Sequence, residues 1–209
     1  SGWFHCSTGQ RRNFLATLGG DPLRSSKTSD LALCALFVAL IAMGAFLRVP
    51  VPLVPFTLQY LFTALAGLLL GAKKGCAAVC AYILLGLLGF PVFAQGGGIG
   101  YIFEPSFGYL IGFALGAYAT GKVAGHTARP SFARLLAANL CGLAIVYLAG
   151  LAYCYCIRNF YLASPLGLWP LLLYGLVLAI PGDIALCVFA ALLAKRLFPR
   201  ITNGKDRKP

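Results

Sequence analysis

Charged residues are scarce in this sequence, and acids are the scarcest among them. The chain has 5 Asp and Glu residues and 17 Lys and Arg residues among 209, so that charged residues make up 11% of it. A soluble domain carries about 25%. This shortage excludes an ordinary soluble globular domain. Hydrophobic residues make up 60% of the chain and are concentrated in long runs, which indicates an integral membrane protein.

Several catalytic motifs are also missing. The sequence contains no G-x-x-x-x-G-K-[ST] phosphate loop, because GGGIG at 96–100 lacks the lysine and the hydroxyl that contact phosphate. The chain is therefore not its own ATPase. It has no G-x-S-x-G, H-E-x-x-H or Ser/His/Asp set, and its two histidines, His5 and His126, lie outside the apolar runs. We expect a protein that is not an enzyme.

The eight cysteines do not predict a metal site. Cys76 and Cys80, and likewise Cys154 and Cys156, have spacings that suit metal ligands, but no histidine lies in the apolar runs to complete a site. Most of the cysteines lie inside those runs, where a thiol behaves as a small hydrophobic side chain. We expect neither a metal nor another cofactor.

Six apolar runs approach the length of about 20 residues that a membrane-spanning helix needs. They cover residues 30–48, 57–72, 75–90, 107–125, 132–156 and 169–195. If the N-terminus is inside, the outer loops hold only Arg48 and Arg158, and the other 15 of the 17 basic residues lie in the tails and inner loops. The pattern predicts an all-α membrane protein with six transmembrane helices and both termini inside. Because the basic residues are spread over four inner segments, they indicate topology and not nucleic-acid binding.

These runs define a membrane domain at 30–196 between two basic cytoplasmic tails, 1–29 and 197–209. The first tail begins with Ser1, is rich in arginine and serine, and contains a single acid, Asp21. A trimmed targeting segment has the same features and is the alternative interpretation. We expect a multi-pass protein of the cell membrane, with an organelle envelope as the alternative.

Asp183 is the acid that lies deep in an apolar run. It occurs in AIPGDIAL, near the middle of the sixth run. An ionisable group at that depth is costly and normally faces a cavity or a partner. Pro181 and Gly182 weaken the helix just before it, and interrupted membrane helices often line binding sites. Asp183 is therefore a candidate ligand-binding residue, with a structural role in a kinked helix as the alternative.

The segment GFPVFAQGGGIGYIFEPSFGYLIGF, residues 89–113, is rich in glycines and aromatic residues. Glycines let the backbone approach a ligand closely, and aromatic rings supply rigid apolar walls. This composition suits a small ligand with an apolar body and a polar edge. An aromatic belt at the membrane interface is the alternative, although a belt does not require glycines.

Three segments together resemble the BioY family, the biotin-binding S component of energy-coupling factor (ECF) transporters. They are VPFTLQYLFTALAGLLLGAKKG, YILLGLLGFPVFAQGGGIGYIFEPSFGYLIGF and IPGDIAL, and they occur in the family's order within residues 31–196. The resemblance implies the six-helix ECF S-component fold, capture of biotin on the outer side, and three partners in and at the lipid bilayer: a transmembrane coupling protein and two cytoplasmic ATPase subunits. A stand-alone membrane facilitator for biotin or another vitamin-like molecule is the alternative.

The family's docking motif on the first helix, A-x-x-x-A, corresponds here to Ala35 and Ala39, whose spacing also permits close helix approach. The family's ligand pocket draws on the outer loop and on the P-G-D of the sixth helix. Two polar residues of the second and third runs, which would contact either a ligand or another helix, join them as candidates. The candidate substrate-binding residues are Gln59, Tyr82, Phe93, Gln95, Gly96, Gly97, Gly98, Tyr101, Tyr109 and Asp183.

The sequence departs from the family pattern at two places. The family usually reads G-P-T-G-G-Y where this chain reads EPSFGY, with Glu104, Ser106 and Phe107 in place of Gly, Thr and Gly. Leu186 stands where many members have a lysine that could pair with the biotin carboxylate. The partner of that carboxylate is therefore open, with Arg48, Arg158 and backbone N–H groups as candidates.

Overall fold

The computed structural model describes residues 22–49, 56–125, 130–162 and 167–205, and within them the regular secondary structure is helical apart from one pair of two-residue strands and an isolated bridge between Phe93 and Gly96. Its α-helices and strands are α1 (Pro22–Phe46), β1 (Arg48–Val49), β2 (Phe56–Thr57), α2 (Gln59–Leu70), α3 (Ala72–Leu87), α4 (Phe107–Ala124), α5 (Phe132–Cys156), α6 (Leu168–Leu172) and α7 (Ile180–Lys205). A 3₁₀ helix spans Ile99–Phe103, and π-helical turns span Ile157–Tyr161 and Leu173–Val177. Residues 1–21 and 206–209 of the predicted tails lie outside the described residues.

The chain divides into two compact units between Leu33 and Cys34, inside α1. The described part of the first unit is the helical segment 22–33, which begins well before residue 30, where the first apolar run starts. The second unit holds the remainder of α1 and every later element. Helix α1 is thus longer than its apolar run, because a helix continues into polar residues that hydropathy does not count.

Helices α2 and α3 are separated by Gly71, which has a φ of +82°. That left-handed conformation is inexpensive for glycine and costly for other residues, so the chain ends one helix there and begins the next. Two further glycines let these helices approach α4. A Cβ at Gly67 would lie 2.5 Å from the Ala117 carbonyl oxygen, and a Cβ at Gly121 would lie 2.4 Å from the Ala72 nitrogen.

Helices α4 and α5 pack through small residues along most of their length. A Cβ at Gly112 would lie 2.9 Å from the backbone of Val146, and a Cβ at Gly116 would lie 2.9 Å from the Gly142 carbonyl oxygen. One turn further, the Thr120 hydroxyl donates to the Ala138 carbonyl at 3.2 Å. Close backbone approach and interhelical hydrogen bonds hold membrane helices together, since lipid removes most of the hydrophobic drive between them.

The sixth apolar run is interrupted just before Asp183. The π-helical turn brings the Leu178 N–H to the Leu173 carbonyl at 3.1 Å, and α7 begins at Ile180 after two turn residues. Pro181 falls in the first turn of α7, where its missing N–H costs no helical hydrogen bond. The interruption therefore places Asp183 at the start of a helix within the apolar run.

In the described part of the chain, three helical stretches are long and apolar enough to cross a membrane by length and composition. They are Thr28–Phe46, Phe132–Tyr161 and Trp169–Phe198, and Gln59–Leu70 is a shorter apolar helix. The six-helix count and the orientation of the termini remain predictions from the apolar runs and the basic residues.

Candidate functional site

A cavity lies between the N-terminal parts of α2 and α4, the middle of α5 and the interruption before α7. The empty space between its walls is about 700 Å³, a value that includes space open to solvent. Most of its wall is aromatic or aliphatic, with a few polar groups. It is lined by Thr57, Gln59, Tyr60, Ala94, Tyr101, Ser106, Tyr109, Leu110, Phe113, Leu143, Val146, Tyr147, Gly175, Ala179 and Asp183.

Asp183 is the carboxylate in the wall of this cavity. It is 8% exposed, and the Tyr147 hydroxyl, which comes from α5, donates a hydrogen bond to its Oδ2. No cation within the described ranges forms a salt bridge with it, and its remaining acceptor capacity is available to a ligand. A buried carboxylate with one neutral partner and a place in a cavity wall is the arrangement expected of a ligand acceptor.

Gln59 supplies a complementary donor. As the first residue of α2 it is 3% exposed, and its Nε2 has no hydrogen-bond partner of good geometry among the described residues, although the amide lies near the Tyr82 hydroxyl. An unsatisfied buried donor costs about 1–3 kcal/mol. An acceptor on a bound ligand would remove that cost.

Tyrosine hydroxyls fix the helices around the cavity. The Tyr60 hydroxyl donates to the Asn139 carbonyl at 2.6 Å, and the Tyr109 hydroxyl donates to the Gly175 carbonyl at 3.2 Å. Asn139 lies outside the lining, and its Nδ2 donates to the Cys187 carbonyl at 2.9 Å. These bonds tie α2, α4, α5 and the sixth apolar run together, and they give Asn139 a structural role.

The glycine-rich loop contributes Ala94 and Tyr101 to the cavity wall. Tyr101 belongs to the 3₁₀ helix, and its hydroxyl lies 3.2 Å from Ser106 Oγ. Burial raises the pKa of the Tyr101 phenol, whereas the hydrogen bond with Ser106 acts in the opposite direction. Phe93 packs behind Tyr101 with ring centroids 4.5 Å apart, and Tyr82 packs edge-on against Phe93 at 5.5 Å. Phe93 and Tyr82 therefore support the wall without lining it.

The three consecutive glycines and Gln95 also lie outside the lining, and the glycines shape the loop. Gly96 exchanges two backbone hydrogen bonds with Phe93, at 2.9 and 3.3 Å, and has a φ of +123°. Gly98, with a φ of +105°, donates from its N–H to the Gly86 carbonyl of α3 at 2.7 Å. A Cβ at Gly97 would lie 2.1 Å from the Phe90 carbonyl oxygen. Together these glycines dock the loop on the end of α3.

Comparison with known proteins identifies the family. A sequence model described as the BioY family matches residues 17–203. This chain belongs to the BioY family. It is 44% identical over 186 residues to a protein of Lysinibacillus sphaericus named as a probable biotin transporter BioY, covering 89% of this chain and 95% of that protein. A Thermotoga maritima protein named as a biotin transporter BioY is 40% identical over 169 residues, with 80% and 95% covered.

A solved structure also resembles this BioY chain. It is the S-component for biotin from an ECF-type ABC transporter, with a TM-score of 0.70, 28% sequence identity, and coverage of 83% of this chain and 92% of that one. The match confirms the helical S-component fold. The names of the relatives confirm membership of a transporter family and not of an enzyme family.

The departures from the usual BioY pattern do not add charge to the cavity wall. Glu104 is exposed, Phe107 starts α4 and packs against the Tyr153 ring at 5.8 Å, and Leu186 packs against the hydrophobic core. Ser106 is the departure that lines the cavity, through the contact with Tyr101.

Four of the residues that the sequence predicts to bind substrate lie in the lining: Gln59, Tyr101, Tyr109 and Asp183. Sequence reasoning missed the rest, although a signal for part of the wall was present. Tyr109, Leu110 and Phe113 on α4, and Leu143, Val146 and Tyr147 on α5, have spacings of one, three or four residues, which places each set on one helix face. Two tyrosines in apolar runs are further signals: Tyr147 lies on this face of α5, and Tyr60 lies on α2.

Proposed function

We propose that this chain is the substrate-capture subunit of a vitamin uptake transporter, and that it binds biotin in the cavity. The relatives reported above are named as a biotin transporter and a probable biotin transporter. The observation in the cavity that supports the proposal is that its wall holds both a buried acceptor, Asp183, and a buried donor, Gln59. Biotin has a ureido group with two N–H donors and one carbonyl, an apolar ring and chain, and a carboxylate. Asp183 would accept from a ureido N–H, and Gln59 Nε2 would donate to the ureido carbonyl.

The apolar part of biotin suits the remainder of the wall. Tyr101, Tyr109 and Phe113 provide aromatic faces, and Leu143 and Val146 provide aliphatic contacts. Such sites combine a mostly apolar surface with few placed polar groups. The polar groups would set specificity, and the rings would supply most of the buried contact area.

We further propose six membrane spans with both termini inside and the cavity open to the outside. The distribution of basic residues supports this orientation, since the outer loops hold Arg48 and Arg158 alone. The cell membrane is the expected location, with an organelle envelope as the alternative. An outward opening suits a subunit that binds its ligand before transport.

Delivery across the membrane would require a transmembrane coupling protein and two cytoplasmic ATPases. The exposure of Ala35 and Ala39 on α1 supports docking there, since Phe37 and Ile41 on the same helix are buried. Small exposed residues on a membrane helix permit close approach of a partner helix.

Binding of biotin by the purified chain tests the proposal. We expect isothermal titration calorimetry to show saturable binding of biotin, and biotin to raise the thermal unfolding temperature, since a ligand that binds the folded state stabilises it. Thiamine and riboflavin serve as control vitamins and should give neither effect. Absence of both binding heat and thermal stabilisation at micromolar biotin would rule out this ligand.

A further inference from the structure

Arg48 contacts the edge of the cavity, although it does not belong to its lining. It lies on β1, where it pairs with Thr57 of β2, and Thr57 is a lining residue. Its Nη1 donates a hydrogen bond to the carbonyl of Ala94, a second lining residue. Burial raises the pKa of the phenol of Tyr101, a third lining residue, and the nearby charge of Arg48 acts in the opposite direction. Arg48 is thus held next to the outer part of the cavity by contacts with two separate chain segments.

The charges around the cavity are unevenly distributed. Asp183, the one ionisable carboxyl or amine group in the lining, contacts Tyr147, whereas Arg48 contacts Ala94. Within the described ranges no carboxylate forms a salt bridge with Arg48. Glu104, the acid of the same loop, is exposed. A cation with no acid paired to it therefore lies at one part of the cavity edge, and an acid lies at another part of the wall.

The hydrogen-bonding capacity of Arg48 is incompletely used. A guanidinium has five N–H donors, and the bond to Ala94 occupies one of them. A planar guanidinium binds a carboxylate through two parallel hydrogen bonds, a stronger contact than one between neutral groups. The position, charge and free donors of Arg48 together fit a carboxylate on the ligand.

We propose that Arg48 binds the carboxylate of the ligand at the edge of the cavity, while Asp183 accepts hydrogen bonds from the N–H groups of the ligand inside the cavity. The assignment rests on the proposed function, because it takes biotin as the ligand. It makes Arg48 a specificity residue, one that selects the free acid over an uncharged derivative. The competing role is structural: Arg48 would only anchor the loop through Ala94.

Calorimetry on the full chain with biotin and with biotin methyl ester separates these roles. We expect Arg48→Gln to weaken biotin binding roughly 10- to 100-fold, the loss of a charge-assisted hydrogen bond, and to leave ester binding within about threefold. Arg48→Lys should keep part of the preference for biotin over the ester. Arg158→Gln is the matched control, since Arg158 is the other outer arginine and lies outside the lining, and it should leave both affinities unchanged.

Other outcomes overturn the proposal in distinct ways. An equal loss of biotin and ester binding in Arg48→Gln means that Arg48 acts only on the loop. No loss of either means that it does not contact the ligand, and a selective loss of biotin in Arg158→Gln assigns the carboxylate to Arg158. Failure of the unmodified chain to bind either compound instead contradicts the proposed function. Ester affinity in each variant reports whether its cavity is intact.

Discussion

The hydrogen bond between Tyr147 and Asp183 joins α5 to α7 across the cavity wall. It fixes one oxygen of the carboxylate, and this leaves the other oriented for a ligand. A buried acceptor held in one position loses less entropy on binding than a mobile one. Under the proposed function, Tyr147 therefore positions Asp183 as well as lining the cavity.

Substitution of Asp183 and of Tyr147 tests this arrangement. We expect Asp183→Asn to weaken biotin binding about 10- to 100-fold, because an amide presents a donor where the ligand also has donors. Tyr147→Phe should weaken it less, about three- to tenfold, since the acceptor stays but loses its orienting bond.

Calorimetry measures both affinities, and the double variant should lose less than the two single effects combined, because the two groups are in contact. The control is Tyr118→Phe, which removes the same hydroxyl from a half-exposed tyrosine of α4 outside the lining. Affinities of Asp183→Asn and Tyr147→Phe equal to that of the unmodified chain would exclude the pair from the binding site.

The candidate residues show what the sequence could and could not predict about the site. The depth of Asp183 in an apolar run and the position of Gln59 at the start of another marked both as candidates. Burying a polar group in a membrane helix is costly unless the group has a hydrogen-bonding partner or faces a cavity. The glycines, Phe93 and Tyr82 were predicted as ligand contacts, but the structure places them behind or beside the wall. Composition marks a functional loop without telling which side of its backbone faces the ligand.

At the scale of elements, the loop between α3 and α4 is positioned by backbone contacts that require glycine. Gly97 lies against the Phe90 carbonyl, whereas a Cβ at Gly100 would meet no atom within 4 Å. The two glycines are only three residues apart, so they form a matched pair for substitution.

We expect Gly97→Ala to displace the loop that carries Ala94 and Tyr101, and so to reduce biotin affinity. Forcing a methyl group into a packed site costs about 1–3 kcal/mol, which corresponds to a decrease in unfolding temperature of roughly 2–12 °C for a chain of this size. Gly100→Ala should leave both affinity and unfolding temperature unchanged. Thermal unfolding and calorimetry measure the two effects, and equal behaviour of the two variants would contradict the role given to Gly97.

The bounds of the elements differ from the apolar runs for physical reasons. The second, third, fourth and fifth runs agree closely with α2 to α5, because the chain between them contains glycines, prolines or charged residues. The first run missed the start of α1, and the sixth did not separate α6, the π-helical turn and α7. Hydropathy detects where a chain is apolar, but it does not detect a change in helical hydrogen bonding within an apolar run.

At the scale of the molecule, the proposed orientation puts Glu104 outside and Lys73 inside. Both residues are exposed. We expect Glu104→Cys to react with a membrane-impermeant maleimide in intact cells, and Lys73→Cys to react only after permeabilisation. Labelling is compared with that of the unmodified chain, which has eight cysteines of its own. The reverse pattern would invert the proposed topology.

Substitution of the exposed alanines of α1 tests the proposed docking of a partner helix. We expect Ala35→Leu and Ala39→Leu to abolish ATP-driven biotin uptake while leaving the affinity of the purified chain for biotin unchanged. The larger side chains would hold a partner helix away without reaching the cavity. Ala81→Leu, at an exposed alanine of α3, is the matched control and should preserve uptake.

Uptake measured in cells that contain the coupling protein and ATPases, together with calorimetry, separates transport from binding. Unimpaired uptake in the Ala35 and Ala39 variants would contradict the docking role. Uptake into liposomes that contain this chain alone would favour the stand-alone facilitator.

The cavity wall runs from Thr57, at the end of β2, to Asp183, in the first turn of α7. The ribosome makes the first of these residues long before the last. A nascent chain whose final apolar segment has not yet entered the bilayer lacks Asp183, the acceptor that we propose for biotin, however well its earlier helices are packed. Under the proposed function, biotin binding therefore requires the last apolar segment to be in place, and it would report the completion of membrane insertion.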